Sequence, residues 1–341
     1  MTITLKRLIR KIVLAMTALL VLLALFGVAY ERIGQHQAVS EFPAPGQMVD
    51  IGGRRIQLDC RGSGSPTVVF ESGLDLSGSL SWSAVHDPVA QHTRACAYSR
   101  AGMMWSDPVD GPVSAKRVAE DLHAVLNKAG EHAPFVMVGH SLGGPYVMTY
   151  TKYFGADVAG LVFVDASHPE QVARTRAVMP EPSTGALKVV AALGWSGAVR
   201  AAAPLLIPQS PNQPASQAET VRAYASTSLR ALSAENDALD STLAEAGTFR
   251  QLGSRPLFVM TAMKPLSPAA LATLKMTPEQ GAQLKAVWKE LQDDEATWSS
   301  QSKHQLLVNS DHYIQFDDPA AVVQAVRFVV DQVRADGAVK P

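Results

Sequence analysis

Residues 135–144 read FVMVGHSLGG, and this stretch decides the fold of the chain. It opens with a short apolar run, which is typical of a buried strand, and it ends in the pattern Gly-x-Ser-x-Gly around Ser141. The residues that follow, as far as Tyr153, can continue as a helix. A serine on a tight strand-to-helix turn has its hydroxyl above the strand ends, and small neighbours let that turn close. The stretch therefore predicts Ser141 as a nucleophile.

Apolar runs on both sides of this stretch predict the rest of a sheet. They do not alternate with polar residues, so they indicate strands that are covered on both faces. Ahead of them, residues 47–51 and 54–60 flank Gly52-Gly53, which predicts a tight antiparallel hairpin. Capped helical patterns lie between several runs, and the sequence predicts an α/β fold with a doubly wound, mostly parallel, eight-stranded sheet. The runs are 67–70, 95–98, 135–138, 161–164, 257–260 and 305–308.

A serine hydroxyl needs a base within hydrogen-bond reach to be nucleophilic near neutral pH. Of the nine histidines, His312 follows the last strand run and precedes the final capped helix. Because the carboxyl ends of parallel strands meet at one edge of a sheet, His312 is expected at the same edge as Ser141. The pattern predicts His312 as the base, whereas His140 is expected to pack or hydrogen-bond beside the nucleophile.

The third member of such a site should orient the imidazole and stabilise its protonated form. Asp165 ends the run 161–164 at the same edge, although an aspartate there could also cap the next turn. The position after the run 257–260 offers no acid before Glu279. Asp311 adjoins His312, but neighbouring side chains in an extended loop point apart. We therefore predict Asp165 as the acid.

Five stretches together resemble the α/β-hydrolase superfamily, over about residues 47 to 335 apart from an insertion. The resemblance implies that Ser141 and His312 are nucleophile and base, with the backbone N–H groups of Leu142 and Leu74 as oxyanion donors. Many relatives have His-Gly where this chain has Ser72-Gly73. The stretches are 72–74, 97–102, 138–144, 161–165 and 310–314.

The same resemblance bears on three other features of the sequence. In this superfamily the second and fourth strands are neighbours, which implies a disulfide between Cys60 and Cys96 in an oxidising compartment. The alternative is two buried free cysteines, and the pair fits no metal-ligand spacing. Arg100 and Asp107 flank a loop that is structural in relatives, so no chemistry is assigned to them. We expect neither a metal nor another cofactor.

The N-terminus predicts a membrane segment. Four basic residues precede the uncharged run 12–30, which as a helix is about 28 Å long, close to the ~30 Å hydrocarbon thickness of a bilayer. A retained single-pass anchor is the main interpretation, and a signal peptide cleaved near residues 27–29 is the alternative. Both place the catalytic domain outside the cytoplasm, on the cell membrane or exported.

The chain divides into five predicted segments. Residues 1–30 form the anchor or signal, 31–46 a polar tether, 47–166 and 254–341 the two parts of the catalytic core, and 167–253 an insertion. The insertion is rich in Ala, Leu and Pro, which predicts short helices. We interpret it as a lid over the sheet, and the alternative is an insertion with no role in substrate choice.

Composition excludes some classes of protein. With 341 residues, 47% hydrophobic and 18% charged, the chain has enough apolar residues for a substantial core. A net charge of −1 and the lack of a basic stripe argue against nucleic-acid binding.

The predicted activity is hydrolysis of a carboxylic ester or related acyl substrate with an apolar part. Amide or aminopeptidase-like hydrolysis, thioester cleavage, haloperoxidase-like chemistry and a non-catalytic binding protein of the same fold remain alternatives. The sequence indicates no oligomeric state.

Overall fold

The computed structural model describes residues 3–179, 185–207, 209 and 212–337. The predicted anchor, lid and second core segment include residues 1–2, 180–184, 208, 210–211 and 338–341, which lie outside the described residues. The strands are β1 (Gln47–Asp50), β2 (Arg55–Arg61), β3 (Thr67–Glu71), β4 (Ala95–Tyr98), β5 (Phe135–His140), β6 (Val158–Val164), β7 (Leu257–Ala262) and β8 (Ser302–Leu307).

These eight strands form one sheet in the order β1-β2-β4-β3-β5-β6-β7-β8. β2 is antiparallel to β1 and β4, and all the other neighbours are parallel, which confirms the predicted architecture. The prediction for β8 was displaced, because the apolar run lay at 305–308 and the strand begins at Ser302. As the edge strand β8 is largely exposed or half-buried, so its first residues can be polar.

Helices cover both faces of the sheet. Val68 and Val69, neighbours on β3, belong to two different buried clusters, one with Val326 and the other with Leu122. Burial on both faces explains why the strands are continuous apolar runs. The helices are α1 (Ile3–Glu41), α2 (Ser83–Ala90), α3 (Ala115–Lys128), α4 (Gly143–Tyr153), α5 (Gln171–Thr175), α6 (Gly185–Ala192), α7 (Ala198–Leu206), α8 (Ala215–Asp237), α9 (Leu239–Gly247), α10 (Pro268–Leu274), α11 (Pro278–Glu295), α12 (Ile314–Asp317) and α13 (Pro319–Ala335).

The two cysteines meet across the hairpin strand β2 and its neighbour β4. Cys60 and Cys96 are paired residues of the antiparallel ladder, with Cα atoms 4.0 Å apart, and their sulfurs lie at disulfide distance. The strand adjacency implied by the superfamily resemblance is therefore present.

Helices α5 to α9 lie between β6 and β7, in the segment interpreted as a lid. α8 is the longest of them, with 23 residues, and it packs against α6 and α7. Most of the described part of this interval is helical, because alanine and leucine are good helix formers.

The first helix, α1, has 39 residues, which corresponds to about 58 Å. It is long and apolar enough to cross a membrane, and the side chains of its apolar part are largely exposed. The segment 31–46, expected as a polar tether, is helical as far as Glu41. Contacts with the lid explain this continuation, because Glu31 and Ala38 are buried although they follow the apolar run.

Candidate active site

Ser141 stands on the turn between β5 and α4 with a φ of 52°, in the left-handed region that side chains rarely adopt. The turn is closed by glycines, because a Cβ on Gly139 would lie 2.6 Å from the carbonyl oxygen of Gly143. A Cβ on Gly143 would lie 2.4 Å from the carbonyl oxygen of Glu71, at the end of β3. The sequence therefore folds into the strained strand–turn–helix that the Gly-x-Ser-x-Gly pattern predicts.

The backbone of Ser141 is fixed on both sides. Its N–H donates to Val164 O at 3.3 Å, and its carbonyl oxygen accepts from the N–H groups of Gly144 and Ser167, both at 2.9 Å. The serine is half-buried, and its hydroxyl makes no hydrogen bond within the part of the chain that the structure describes. The backbone of Ser141 is therefore fixed by hydrogen bonds, whereas its hydroxyl oxygen has no partner among the described residues.

Asp165 and His312 meet at the carboxyl edge of the sheet. Asp165 directly follows β6 and is buried, with a φ of 45°. His312 lies in the loop after β8, and its Nδ1 is 2.6 Å from Asp165 Oδ2. A carboxylate only accepts hydrogen bonds, so Nδ1 carries the proton. The neutral imidazole therefore has its lone pair on Nε2, where it can take up a proton.

Three further donors hold the carboxylate of Asp165. Its Oδ1 accepts from Ala262 N at 2.8 Å, Trp288 Nε1 at 2.9 Å and Gln292 Nε2 at 3.3 Å. Burial by itself raises the pKa of Asp165, but the hydrogen bonds from His312 and these groups outweigh it and lower the pKa below its ordinary value. Asp165 therefore stays ionised while buried.

Trp288 and Gln292 are site residues that the sequence analysis missed. They lie one helical turn apart on α11, so both side chains reach the same carboxylate. Their distance from Asp165 along the chain hides the relationship, since 123 and 127 residues separate them from it. The sequence signal that could have indicated these residues is their spacing of four on a predicted helix, which puts two side-chain N–H donors on one face.

His140 supports the loop of His312, as expected. Its Nε2 donates to the backbone oxygen of His312 at 2.9 Å, and the two imidazole rings are 4.7 Å apart. Complete burial and the neighbouring His312 lower the pKa of His140 to about 3, so this ring is neutral at ordinary pH. The contact ties the elbow to the His312 loop, next to Ser141.

Arg100, to which the sequence analysis assigned no chemistry, organises the loop after β3. Its buried guanidinium donates to the carbonyl oxygens of Ser72 and Gly73, both at 2.7 Å. It also donates to Glu71 at 2.7 Å and to Glu235 of the lid at 2.7 and 2.8 Å. Arg100 thus connects the loop that contains Leu74 to α8 of the lid.

The N–H groups of Leu142 and Leu74, expected as oxyanion donors, are free of hydrogen bonds to any described residue. Leu142 is the N-cap residue of α4 and is buried, while Leu74 is half-buried in the same apolar cluster. A Cβ on Gly73, beside Leu74, would lie 2.9 Å from Ser141 Cβ, so the two loops approach each other closely.

A cavity of about 530 Å³ opens beside this site. Asp165 and His312 line it, whereas Ser141 is not among its lining residues. The remaining walls come from α5, the α8–α9 junction and α11, and they include Val172, Leu239, Leu284 and Trp288. The inserted helices therefore form one side of the cavity and α11 the other.

Curated proteins match parts of the chain. "Probable transporter efuK" of Hormonema carpetanum is 34% identical over 130 residues, which are 35% of this chain and 18% of that protein. "Uncharacterized protein YbdG" of Bacillus subtilis (strain 168) is 21% identical over 169 residues, 49% of this chain and 52% of that protein. The chain thus spans less than two thirds of the length of either relative.

Solved structures share the fold at low sequence identity. An esterase from Thermogutta terrifontis has a TM-score of 0.57 at 18% identity, covering 84% of this chain and 97% of its own. A "putative epoxide hydrolase" from Pseudomonas aeruginosa has a TM-score of 0.60 at 14% identity, covering 86% and 98%. The enol-lactonase from Burkholderia xenovorans LB400 has a TM-score of 0.58 at 16% identity, covering 84% and 100%.

The family comparison covers most of the chain. A model described as "Alpha/beta hydrolase family" matches residues 68–325, which include the sheet from β3 onward, the inserted helices and the loop of His312. The solved structures agree with it in fold, and the match supports a hydrolase activity. The chain belongs to the alpha/beta hydrolase family.

Proposed function

We propose that the protein is a serine hydrolase that cleaves a carboxylic ester through an acyl-enzyme on Ser141. One observation carries the proposal: Nδ1 of His312 donates to the buried, ionised Asp165, which leaves Nε2 available as a base, and Ser141 stands on a strained turn at the same edge of the sheet. This arrangement of acid and base is the one that a serine nucleophile requires.

The reaction then follows from these groups. Nε2 of His312 removes the proton of the Ser141 hydroxyl as the oxygen attacks the carbonyl carbon, and Asp165 stabilises the resulting imidazolium. The imidazolium returns the proton to the leaving alcohol, which forms the acyl-enzyme. Water, deprotonated by the same imidazole, then attacks the acyl carbon, and the imidazolium returns the proton to the oxygen of Ser141 as the acid is released. The hydrogen bond between Ser141 and His312 forms with substrate bound, since catalytic hydrogen bonds often tighten only in that complex.

The oxyanion would be held by backbone amides. The N–H groups of Leu142 and Leu74, which have no partner among the described residues, support this role, because preorganised donors near the nucleophile stabilise the charge that develops in the transition state. Arg100 is a positioning residue for the second donor. It binds the carbonyl oxygens of Ser72 and Gly73, which restricts how the next peptide can turn.

The residue at the elbow favours an ester over an epoxide. Epoxide hydrolases of this fold use a carboxylate nucleophile, and this chain has a serine at residue 141. Two of the solved relatives are named as an esterase and an enol-lactonase. The apolar lining from Val172, Leu239 and Leu284 fits a substrate with an apolar acyl or aromatic part.

We further propose that α1 is a retained single-pass anchor, with the catalytic domain outside the cytoplasm. Its length, the basic residues before the apolar run and the exposure of the large apolar side chains along that run support this assignment. The mass of the N-terminal peptide from membranes distinguishes the anchor from a cleaved signal, which would leave a new terminus near residues 27–29.

The proposed activity is tested with a panel of acyl-chain esters and aminoacyl amides. We expect the full-length protein in detergent to hydrolyse the esters and Ser141→Ala to lose this activity. Ser167→Ala is the matched control, since Ser167 contacts the elbow only through its backbone, and it should keep the activity. Equal activity of Ser141→Ala and wild type would contradict the mechanism, and hydrolysis of the amides alone would change the substrate class.

A further inference from the structure

The inserted helices contact the N-terminal helix α1 directly. A Cβ on Gly27 would lie 2.2 Å from Ser196 O, and one on Gly34 would lie 2.4 Å from Arg200 Nε. Between these two contacts Glu31, only 2% exposed, accepts two hydrogen bonds from Arg200 at 3.0 Å. A buried charge needs such a partner, so the pair fixes the position of the lid along α1.

This contact determines where the inserted helices lie along the axis of α1, relative to the apolar run 12–30. The turn of residues 193–197, here the lid turn, lies against the last helical turn of the apolar run 12–30. At Gly197 a Cβ would be 2.8 Å from Gly27 O and 2.9 Å from Tyr30 Cδ1. Gly27 and Tyr30 are about 4.5 Å apart along the helix axis. The lid turn is therefore level with the end of the segment that fits a bilayer.

The lid beside this contact exposes large apolar side chains. Val189, Leu193 and Trp195, here the apolar lid patch, are 60%, 43% and 53% exposed. They belong to the apolar helical stretch Gly185–Ser196, and residues 189–199 contain no charged side chain. The nearest charges on either side, Lys188 and Arg200, are paired with Asp237 and Glu31.

We propose that the apolar lid patch rests in the interface of the same membrane that α1 spans. The proposal rests on the proposed anchoring of α1. A lipid surface fits better than a second protein, because the patch is continuous with the membrane helix and level with its end. Tryptophan is enriched at the membrane–water interface, because its ring is apolar and its N–H is polar, and Trp195 fits this position.

The proposal also names the source of the substrate, and in this part it rests on the proposed esterase activity. Lys188 Nζ pairs with Asp237 Oδ1 at 2.9 Å, and Asp237 lines the cavity beside His312. Lys188 and Trp195 belong to the same apolar helical stretch, Gly185–Ser196. The wall of the cavity thus begins close to the lipid surface, so the substrate is an ester dissolved in the membrane.

Tryptophan fluorescence tests the position of the patch without using catalysis. The full-length protein is reconstituted into phosphatidylcholine vesicles whose acyl chains carry bromine near the headgroup, and retention of α1 is checked by mass. We expect bromine to quench part of the emission, and Trp195→Phe to lose most of that quenching. Trp105→Phe is the control, because Trp105 Nε1 donates to Phe42 O, just past the end of α1 and away from the bilayer. It should be quenched like wild type.

Two results would overturn the position of the patch. One is equal quenching of wild type and Trp195→Phe, and the other is no quenching of wild type with α1 retained, since both leave Trp195 in water or under protein.

The source of the substrate is tested separately, by comparing the hydrolysis of two esters. Leu193→Ser with Trp195→Ser should lower hydrolysis of a long-chain ester in vesicles severalfold and leave a short soluble ester unchanged. An equal loss on both esters would contradict it.

Discussion

Asp165 and His312 are 147 residues apart in the chain, yet Oδ2 of the aspartate lies 2.6 Å from Nδ1 of the histidine. The acid follows β6, and Ala262, the last residue of β7, donates its backbone N–H to Asp165. A strand that could have supplied the acid thus supplies one of its hydrogen bonds. The sheet keeps the carboxylate at the edge that also holds Ser141.

Replacing Asp165 by asparagine should lower kcat strongly. The change removes the negative charge and the preference for the Nδ1–H tautomer, and in a Ser-His-Asp site this costs on the order of 10⁴-fold in kcat. Steady-state ester hydrolysis measures the loss. Asp311→Asn is the matched control, since Asp311 adjoins His312 but binds the exposed Lys264 at 2.9 Å. A comparable loss of kcat in both variants would contradict the role of Asp165 as the acid.

His140 should make the protein less stable in acid. Its pKa is about 3 in the folded protein, below an ordinary value near 6.5, so between these values only the unfolded chain binds the proton. The contribution of His140 to the free energy of unfolding is therefore complete above about pH 6.5. It falls by up to ~1.4 kcal/mol per pH unit as the pH drops toward 3. Urea unfolding in detergent at several pH values should show a smaller slope for His140→Gln, and an unchanged slope would refute the argument.

The buried pair of Arg100 and Glu235 should matter far more than an exposed pair. Glu235→Gln leaves part of the charge of Arg100 uncompensated, which should lower the free energy of unfolding by about 3 kcal/mol. It should also reduce kcat, because Arg100 holds the loop of Ser72 and Gly73. Glu290→Gln is the control, since its pair with Arg174 is exposed and should contribute less than about 1 kcal/mol. Similar effects of both substitutions would count against the network.

The pair of Cys60 and Cys96 predicts a stabilising crosslink between β2 and β4. Cys60→Ser with Cys96→Ser should lower the free energy of unfolding by about 2–4 kcal/mol, because the bond closes a loop of 36 residues in the unfolded chain. Activity of the folded protein should persist, since the pair lies away from Ser141. Labelling of either cysteine by a thiol reagent before any reduction would show that the bond is absent.

The sequence predicted the sheet well because its strands are buried on both faces. Such strands are short apolar runs, and six of the eight were placed within two residues of their observed bounds, while β6 begins three residues before its predicted run. β8 was displaced because an edge strand tolerates Lys303 and His304, which interrupt the pattern. The elbow was recognisable because a single local turn imposes its glycines.

Relationships made only by tertiary contact were not predictable. Trp288 and Gln292 reach Asp165 from a helix that packs over the sheet, and nothing local marks them. The role of Arg100 was not predictable because its partner Glu235 lies 135 residues away, in the inserted helices. The helix α1 continues beyond Tyr30 because the lid covers Glu31, which composition alone does not indicate.

The most direct test of the account is to map where a fluorophosphonate probe reacts. The proposed mechanism predicts one adduct, on the peptide that contains Ser141, with no adduct in Ser141→Ala and much slower labelling in His312→Ala. Folded wild-type protein that does not react, or that carries the adduct on another residue, would contradict the claim that Ser141 is a nucleophile activated by His312.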